Sequence, residues 1–303
     1  MLLRRALALA TVAALAALAG CDDGSTGAAE PDGATTTDAA SSSRFPSYVA
    51  LGDSYTAAPA VPQTETTSGC FRSSGNYPHL VAAELGTELV DVSCSGATTL
   101  DLVGQQRRGE QVVPPQLAAL SADTSLVTLG IGGNDFGLFQ ALIRECVRLA
   151  PVDPQGSPCR DRMQAAGDQQ DLLVAKVGRI GARVTSSVKA IHRRAPDAEV
   201  VVVAYPQPVP EEGSCETLPL ATGDYPYVRS IVAELDDALR AAAEGGQARF
   251  VDVLAASEGH DVCAGADAWV NGSTTDLSRA AAYHPFAVEQ QAVADLVVAA
   301  VGS

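Results

Sequence analysis

Short, unbroken apolar runs alternate with longer stretches of helical periodicity along most of this chain, and this alternation limits the folds that it can adopt. The runs are rich in β-branched residues, which is typical of strands that are buried on both faces. Strands that alternate with helices predict a parallel sheet between two helical layers, a three-layer α/β/α sandwich. The five predicted strands are residues 48–51, 89–92, 126–131, 200–204 and 249–253.

The segments between these strands have the apolar spacing of amphipathic helices. The clearest helix runs from Gln169 to Arg194, with apolar residues at intervals of three and four. Further helices are predicted over residues 78–85 and 225–244, both followed by glycine, and over residues 285–301, with proline in the first turn. Ligands of such sheets bind beyond the carboxyl ends of the strands, so functional side chains are expected there.

The N-terminal segment has the features of an export signal followed by a tether. Two arginines precede an apolar stretch over residues 6–19, which is too short to cross a bilayer. Cys21 follows a pair of small residues, as in the bacterial lipobox, where the cysteine is lipidated; in an ordinary secretory signal it would have no special role. We expect a lipoprotein signal peptide over residues 1–20, a disordered tether over residues 21–44 and a single folded domain over residues 45–303.

The chain is strongly acidic, with a formal net charge of −16 over 303 residues. Nucleic-acid phosphates need Lys and Arg partners, so this charge argues against nucleic-acid binding. It also argues against electrostatic attachment to anionic lipid. We therefore expect membrane attachment only through lipid on Cys21, at the outer face of the bacterial cytoplasmic membrane, with some protein released.

Six cysteines remain when Cys21 is set aside. An even number in an exported chain suggests three disulfides; fifteen pairings are possible, and the sequential one is the simplest. A metal site is the alternative, but no cysteine pair has CxxC spacing, and His260 near Cys263 lacks further ligands. The sequential pairing would join Cys70 to Cys94, Cys146 to Cys159 and Cys215 to Cys263.

At four places, a residue that could take part in catalysis or ligand binding follows a predicted strand or begins a predicted helix. Ser54, in a Gly-Asp-Ser turn, could cap a helix or act as a nucleophile. Gly96 could present its backbone N–H to a ligand or only form a turn. Asn134, in a Gly-Gly-Asn-Asp segment, could direct its amide at a developing negative charge or cap a helix. His284, before Pro285, could serve as the base for a serine.

His260 is the main alternative to His284 as a base, because it lies in the loop after the fifth strand beside Asp261. Two other enzyme classes are excluded because the sequence does not contain their characteristic motifs. The chain has no G-x-S-x-G pattern, which the nucleophile elbow of α/β-hydrolases requires. The glycine spacing before Asn134 differs from a dinucleotide-binding fingerprint.

Four short motifs occur in this chain in the order typical of the SGNH (GDSL) hydrolase superfamily: GDS, a lone glycine, GGND and HP. Residues 45–303 most resemble the secreted actinobacterial GDSL lipases and esterases. The resemblance implies a flavodoxin-like α/β fold and hydrolysis of short- to medium-chain acyl esters through an acyl-enzyme on Ser54. It implies His284 as the general base, an oxyanion hole formed by Ser54, Gly96 and Asn134, and the sequential disulfides. We further expect a monomer that acts on a small acyl ester or lipid without a metal or cofactor.

One position departs from the family pattern. Many members carry an aspartate three residues before the histidine, where it orients the imidazole, but Ala281 stands there in this chain. The backbone carbonyl of Ala281 or Ala282, or the side chain of Asp276, could take that role. The sequence does not decide between them.

The resemblance leaves the substrate open. A carbohydrate O-deacetylase and a phospholipase of the same fold are alternative enzymes, and a non-catalytic surface-binding lipoprotein is the alternative from another class. The acyl pocket would discriminate between the enzymes. We expect loops such as 136–170 and 205–224 to form it.

Overall fold

The structure is a computed structural model of the chain, and it describes residues 43–166 and 170–302. The predicted signal peptide over residues 1–20, the predicted lipidation site Cys21 and nearly all of the predicted tether lie outside the described residues. No helix of the described part is both long and apolar enough to cross a membrane.

The two described residues before the predicted boundary at residue 45 already contact the folded domain. The Ser43 hydroxyl donates to the carbonyl of Leu85 at 2.9 Å. The Arg44 guanidinium donates to the carbonyl of Val301 at 2.5 Å. Both residues therefore pack against the ends of helices of the domain.

A five-stranded parallel sheet forms the centre of the fold, as predicted. In chain order the strands of the described residues are β1 (Ser47–Gly52), β2 (Glu88–Asp91), β3 (Gln106–Arg108), β4 (Gln111–Val113), β5 (Leu126–Gly130), β6 (Glu199–Val203) and β7 (Arg249–Val251). The sheet order is β2-β1-β5-β6-β7, and every neighbouring pair is parallel. The short antiparallel pair β3-β4 was not predicted.

Helices cover both faces of this sheet, which confirms the predicted three-layer architecture. One face carries the long helices α5 and α6, and the other carries α2 and α8. The helix bounds are α1 (Ser54–Ala57), α2 (Tyr77–Leu85), α3 (Cys146–Leu149), α4 (Pro158–Ala166), α5 (Leu172–Arg194), α6 (Asp224–Gly246), α7 (Val253–Ala256) and α8 (Ala287–Gly302).

The first residues of two helices, α5 and α8, differ from the predicted ones. Helix α5 begins at Leu172 rather than Gln169, because the Asp171 carboxylate accepts the backbone N–H groups of Leu173 and Val174 and so caps the helix. Helix α8 begins at Ala287, so the expected first-turn proline precedes the helix instead of lying in it.

The two layers of the core follow from the alternation of side chains along each strand. In β1, Val49 and Leu51 pack into the cluster under α5 and α6, whereas Tyr48 and Ala50 pack into the cluster under α2 and α8. All four are buried, as a middle strand of a parallel sheet requires. The sheet is thereby held between two apolar layers, and its carboxyl edge carries the loops described next.

Three disulfides fasten those loops, in the sequential pairing. The first joins Cys70 to Cys94, two residues before Gly96. The second and third join Cys146 to Cys159 and Cys215 to Cys263. Such links restrict the unfolded chain and hold loops that no strand ladder supports.

Candidate active site

Ser54 is the first residue of α1, directly beyond the carboxyl end of β1. The cap of this helix is Asp53, whose carboxylate accepts the backbone N–H of Tyr55 at 2.9 Å. Ser54 is therefore not needed as a cap, and its side chain, 7% exposed, lines a cavity. Gly52 is required just before it, because a Cβ there would lie 2.1 Å from the Thr56 hydroxyl.

Asn134 follows β5 in the neighbouring loop. Its side chain caps no helix. The amide nitrogen instead donates to the carbonyl of Ala97 at 3.1 Å and lies 3.5 Å from a carboxylate oxygen of Asp53. The glycine before it, Gly133, permits this approach, since a Cβ there would lie 2.2 Å from the ring of Phe139.

Gly96 lies in the loop after β2 with a φ of +75°, a conformation that glycine adopts without strain. Its neighbour Ala97 provides the carbonyl that holds the Asn134 amide. Gly96 therefore lies beside Asn134, although it is not among the residues that line the cavity.

A buried carboxylate, for which no role was expected from the sequence, joins the loop after β2 to the loop after β5. Asp135 is fully buried and accepts the backbone N–H of Thr99 at 2.8 Å and the Thr99 hydroxyl at 2.5 Å. It also forms an ion pair with Arg183 at 3.0 Å. The only sequence signal was its position directly after Asn134.

His284 lies just before α8 and lines the same cavity as Ser54 and Asn134. Its Nδ1 is 2.7 Å from the carbonyl oxygen of Ala282. Of the three candidates for orienting the imidazole, the Ala282 carbonyl is the one that contacts its Nδ1. Asp276 is exposed and accepts hydrogen bonds from Ser278 instead.

Burial lowers the pKa of His284 below its ordinary value, and the hydrogen bond to Ala282 opposes this only in part. The imidazole is thus neutral at neutral pH. With Nδ1–H donated to the carbonyl, Nε2 is the atom that can accept a proton. Among the described residues no hydrogen bond joins it directly to Ser54, and such bonds are often long in unliganded sites.

The loop that carries His284 is held by polar contacts. The Tyr55 hydroxyl donates to the carbonyl of Tyr283 at 2.8 Å. The Asn271 amide donates to the carbonyls of Ala280 and Ala281 at 2.9 and 3.1 Å. These contacts fix Tyr283 at a φ of +58°, which is unusual for a residue other than glycine.

His260, the rival base, lies elsewhere. Its ring stacks on Trp269 with centroids 4.6 Å apart, and its Nδ1 contacts the carbonyl of Asp267 at 2.7 Å. It does not line the cavity that contains Ser54. Its contacts are those of a residue that stabilises a loop.

The cavity has a volume of about 280 Å³ and is mainly apolar. Its walls come from a π-helical turn (Gln140–Glu145), from the segment after β6 and from α6. The two loop regions, residues 136–170 and 205–224, were expected from the sequence, but the contribution of α6 was not. The apolar wall consists of Phe139, Leu142, Ile143, Pro206, Pro208, Val228 and Val232.

The family and the fold of the chain can be compared with those of known proteins. Residues 50–288 match the family described as GDSL-like Lipase/Acylhydrolase. Lipase 2 of Streptomyces coelicolor is 41% identical over 86% of this chain and 84% of its own length. An esterase of Streptomyces scabiei is 32% identical over 75% of each chain.

Two crystal structures are also similar. Phospholipase A1 from Streptomyces albidoflavus NA297 has a TM-score of 0.69 and 29% identity, covering 86% of this chain and 100% of that one. The extracellular lipase of Streptomyces rimosus has a TM-score of 0.68 and 29% identity, covering 84% of this chain and 99% of that one. By its sequence, its fold and the order of its loops, the chain belongs to the GDSL-like lipase/acylhydrolase family.

Proposed function

We propose that this protein is a serine ester hydrolase in which Ser54 is the nucleophile and His284 the general base. Its family consists of carboxylic ester hydrolases, and its relatives are named lipases and esterases. The observation that carries the residue assignment is that Ser54, Asn134 and His284, from three separate segments of the chain, line one apolar cavity. Such convergence of a nucleophile, a base and an amide donor is the arrangement that acyl transfer needs.

In the proposed reaction, Nε2 of His284 takes the proton of the Ser54 hydroxyl as the oxygen attacks the ester carbonyl. The tetrahedral intermediate collapses to an acyl-enzyme, and the leaving alcohol takes that proton from His284. Water then attacks the acyl group in the same way and releases the acid. The lowered pKa of His284 supports its role, since only the neutral imidazole can accept a proton.

The oxyanion hole in this proposal comprises the N–H groups of Ser54 and Gly96 and the side-chain amide of Asn134. Ala97 accepts one of the two amide protons of Asn134. The contact of this nitrogen with Asp53 is long, at 3.5 Å, so a developing oxyanion can compete for the second proton. Removing one such donor typically lowers kcat by about 100- to 1,000-fold.

Short- and medium-chain acyl esters fit the cavity best. Its volume of about 280 Å³ lies just below the usual range of ligand pockets, which is about 300–1,000 Å³. Its wall is mainly aliphatic and aromatic, and none of the acidic residues in the described part of the chain lines it. An acyl chain would thus enter without meeting a carboxylate.

A phospholipid ester is the second candidate substrate, and Arg144 favours it. Arg144 is exposed, lines the cavity and is the one Arg or Lys that does so among the described residues. It forms no ion pair within that part of the chain, unlike Arg148 one turn later, which pairs with Glu145 at 2.8 Å. A guanidinium at this place suits the phosphate of a lipid headgroup.

We further propose that the enzyme is exported and anchored by lipid on Cys21. Support comes from the sequence, in which an apolar segment of export-signal length meets the small residues before Cys21. A polar segment then separates Cys21 from the domain, long enough to hold the active site away from a membrane. The S. rimosus relative is an extracellular lipase.

The nucleophile is tested with a fluorescent fluorophosphonate, which labels activated serines. We expect the parent protein to label and Ser54→Ala not to label, with hydrolysis of p-nitrophenyl butyrate lost in the same variant. His284→Ala should abolish turnover, whereas His260→Ala, the matched control, should retain most of it. Equal labelling of the parent and Ser54→Ala would contradict the proposal, as would loss of turnover in His260→Ala alone.

A further inference from the structure

One buried tyrosine joins two loops of the proposed oxyanion hole. The hydroxyl of Tyr205, just beyond the carboxyl end of β6, accepts the backbone N–H of Gly133 at 2.8 Å. The same hydroxyl donates to a carboxylate oxygen of Asp53 at 2.6 Å. Gly133 directly precedes Asn134, and Asp53 directly precedes Ser54. The hydroxyl oxygen of Tyr205 thus connects Gly133, the neighbour of the amide donor, with Asp53, the neighbour of the nucleophile.

We propose that Tyr205 is a positioning residue for ester hydrolysis, whose hydroxyl sets the placement of the Asn134 amide relative to Ser54. The inference rests on the proposed function, because it assumes that Asn134 stabilises the oxyanion formed when Ser54 attacks. Tyr205 itself acts through Asp53 and Gly133.

The sheet cannot supply this placement by itself. The ladder between β1 and β5 ends at the pair Gly52 and Gly130, and one more backbone bond follows, from Asp53 N–H to the Gly130 carbonyl at 2.9 Å. Beyond that point the two loops diverge from strand geometry. The contact from Asn134 to Asp53, at 3.5 Å, is too long to replace the ladder. The two short bonds of Tyr205 are the firmer connection.

Burial makes these bonds strong and specific. Asp53 is completely buried and Tyr205 is 4% exposed, so water does not compete for either group. A hydrogen bond to a carboxylate is roughly twice as strong as one between neutral groups. Burial raises the pKa of Asp53 to about 7, and the Tyr205 hydroxyl acts against this rise by stabilising the charged form.

The ring of Tyr205 is held so that its hydroxyl keeps this position. It makes edge contacts with Tyr55 and Phe139, with centroid distances of 5.2 and 4.8 Å. Both rings line the cavity with it. The position of the hydroxyl is therefore set by packing as well as by its two partners.

The first test is Tyr205→Phe, which removes one oxygen and keeps the ring. We expect kcat for p-nitrophenyl butyrate to fall about 10- to 100-fold with little change in KM, because misplacing a catalytic group affects the transition state more than substrate binding. Tyr48→Phe is the matched control. Its buried hydroxyl contacts Thr128 at 2.8 Å in the other core layer, so it should lower Tm comparably and leave kcat unchanged.

A double-mutant cycle separates positioning from a general loss of structure. Asn134→Ala alone should lower kcat about 100- to 1,000-fold. Adding Tyr205→Phe to it should cost nothing further, because the amide that Tyr205 positions is already gone. Near-ultraviolet circular dichroism and Tm report whether each variant is folded.

Three results would overturn the inference. If Tyr205→Phe lowers kcat by the same factor with and without Asn134, the tyrosine does not act through that amide. If Tyr205→Phe retains the parent kcat while Asn134→Ala loses it, the oxyanion hole is correct and only the role of Tyr205 is wrong. A parent-like kcat of Asn134→Ala would instead contradict the proposed oxyanion hole itself, and the inference with it.

Discussion

Asp53 caps the helix after β1, and this leaves the hydroxyl of the next residue, Ser54, available for chemistry. From the sequence, only Ser54 was considered as a cap, although Asp is favoured at a helix N-terminus as well. The choice depends on which side chain points back at the helix N–H groups. Only the folded backbone shows that the carboxylate of Asp53 does so, while Ser54 faces the cavity.

The orienting partner of His284 could not be found from side-chain identities. It is the backbone carbonyl of Ala282, and every residue has such a carbonyl. The sequence analysis reduced the candidates to Ala281, Ala282 and Asp276. The turn geometry that directs one carbonyl at Nδ1 depends on contacts with Asn271, ten residues before Ala281, and with Tyr55, which is distant in the chain.

Arg144 permits a prediction about substrate preference. For Arg144→Gln we expect KM for dioctanoyl phosphatidylglycerol to rise about 2- to 5-fold, because an exposed ion pair contributes at most about 1 kcal/mol. KM for dioctanoylglycerol, which has the same acyl chains and no phosphate, should stay the same. Initial rates on both lipids in mixed micelles give the comparison.

Arg148→Gln is the control for this prediction, since Arg148 lies on the neighbouring α3 and does not line the cavity. It should leave both KM values unchanged. Equal changes on the charged and the neutral lipid in Arg144→Gln would exclude a phosphate contact and leave a neutral ester as the substrate.

At the scale of elements, α8 contains an acid where two effects compete. Glu289 lies in its first turn, where the helix dipole favours a negative charge by about 0.3–1 kcal/mol. Yet Glu289 is only 2% exposed, and burial raises its pKa to about 8, against a smaller opposing effect of the Gln290 amide. The cost of burying a charge outweighs the dipole.

This raised pKa predicts how stability depends on pH. The folded state keeps the Glu289 proton up to about pH 8, while the unfolded chain loses it near pH 4.5. Between these two pH values, the contribution of Glu289 to the free energy of unfolding therefore falls as pH rises. Glu289→Gln removes the titration. We expect it to raise Tm at pH 8 by about 3–6 °C relative to the parent, which corresponds to about 1–2 kcal/mol, and by much less at pH 5.

Asp295→Asn removes a carboxylate from the exposed side of the same helix and controls for net charge. Differential scanning calorimetry at both pH values reports Tm. A gain from Glu289→Gln that is equal at pH 5 and pH 8 would show that burial of the charge is not the cause.

Elements differed in how well the sequence predicted them. The middle strands and the long helix α5 were predicted within a few residues, because burial on one or both faces imposes a strong apolar pattern. The β3-β4 pair was missed, since strands of three residues are too short to show alternation. The contribution of α6 to the cavity was missed because its apolar residues are needed for the core in any case.

At the scale of the whole molecule, the proposed membrane attachment depends on Cys21. With a charge of −16 the chain has no electrostatic attraction to an anionic bilayer, so loss of the lipid should release it. We predict that Cys21→Ser moves the protein from the membrane fraction to the soluble fraction of the cells or to the medium. Immunoblots of the fractions, with Ser54→Ala as the control that keeps Cys21, check this. Unchanged fractionation would contradict lipid anchoring.

Residue types alone were enough to predict the sheet and its two helical layers, because they set the burial pattern of each element. They also supplied the candidate site residues in their order: Ser54, Gly96, Asn134 and His284. The tertiary structure decided which of these residues share a cavity and what holds them. The cap at Asp53 and the Ala282 carbonyl on His284 both depend on backbone direction. The Tyr205 hydroxyl between two loops depends on residues far apart in the chain, a contact that residue types alone do not encode.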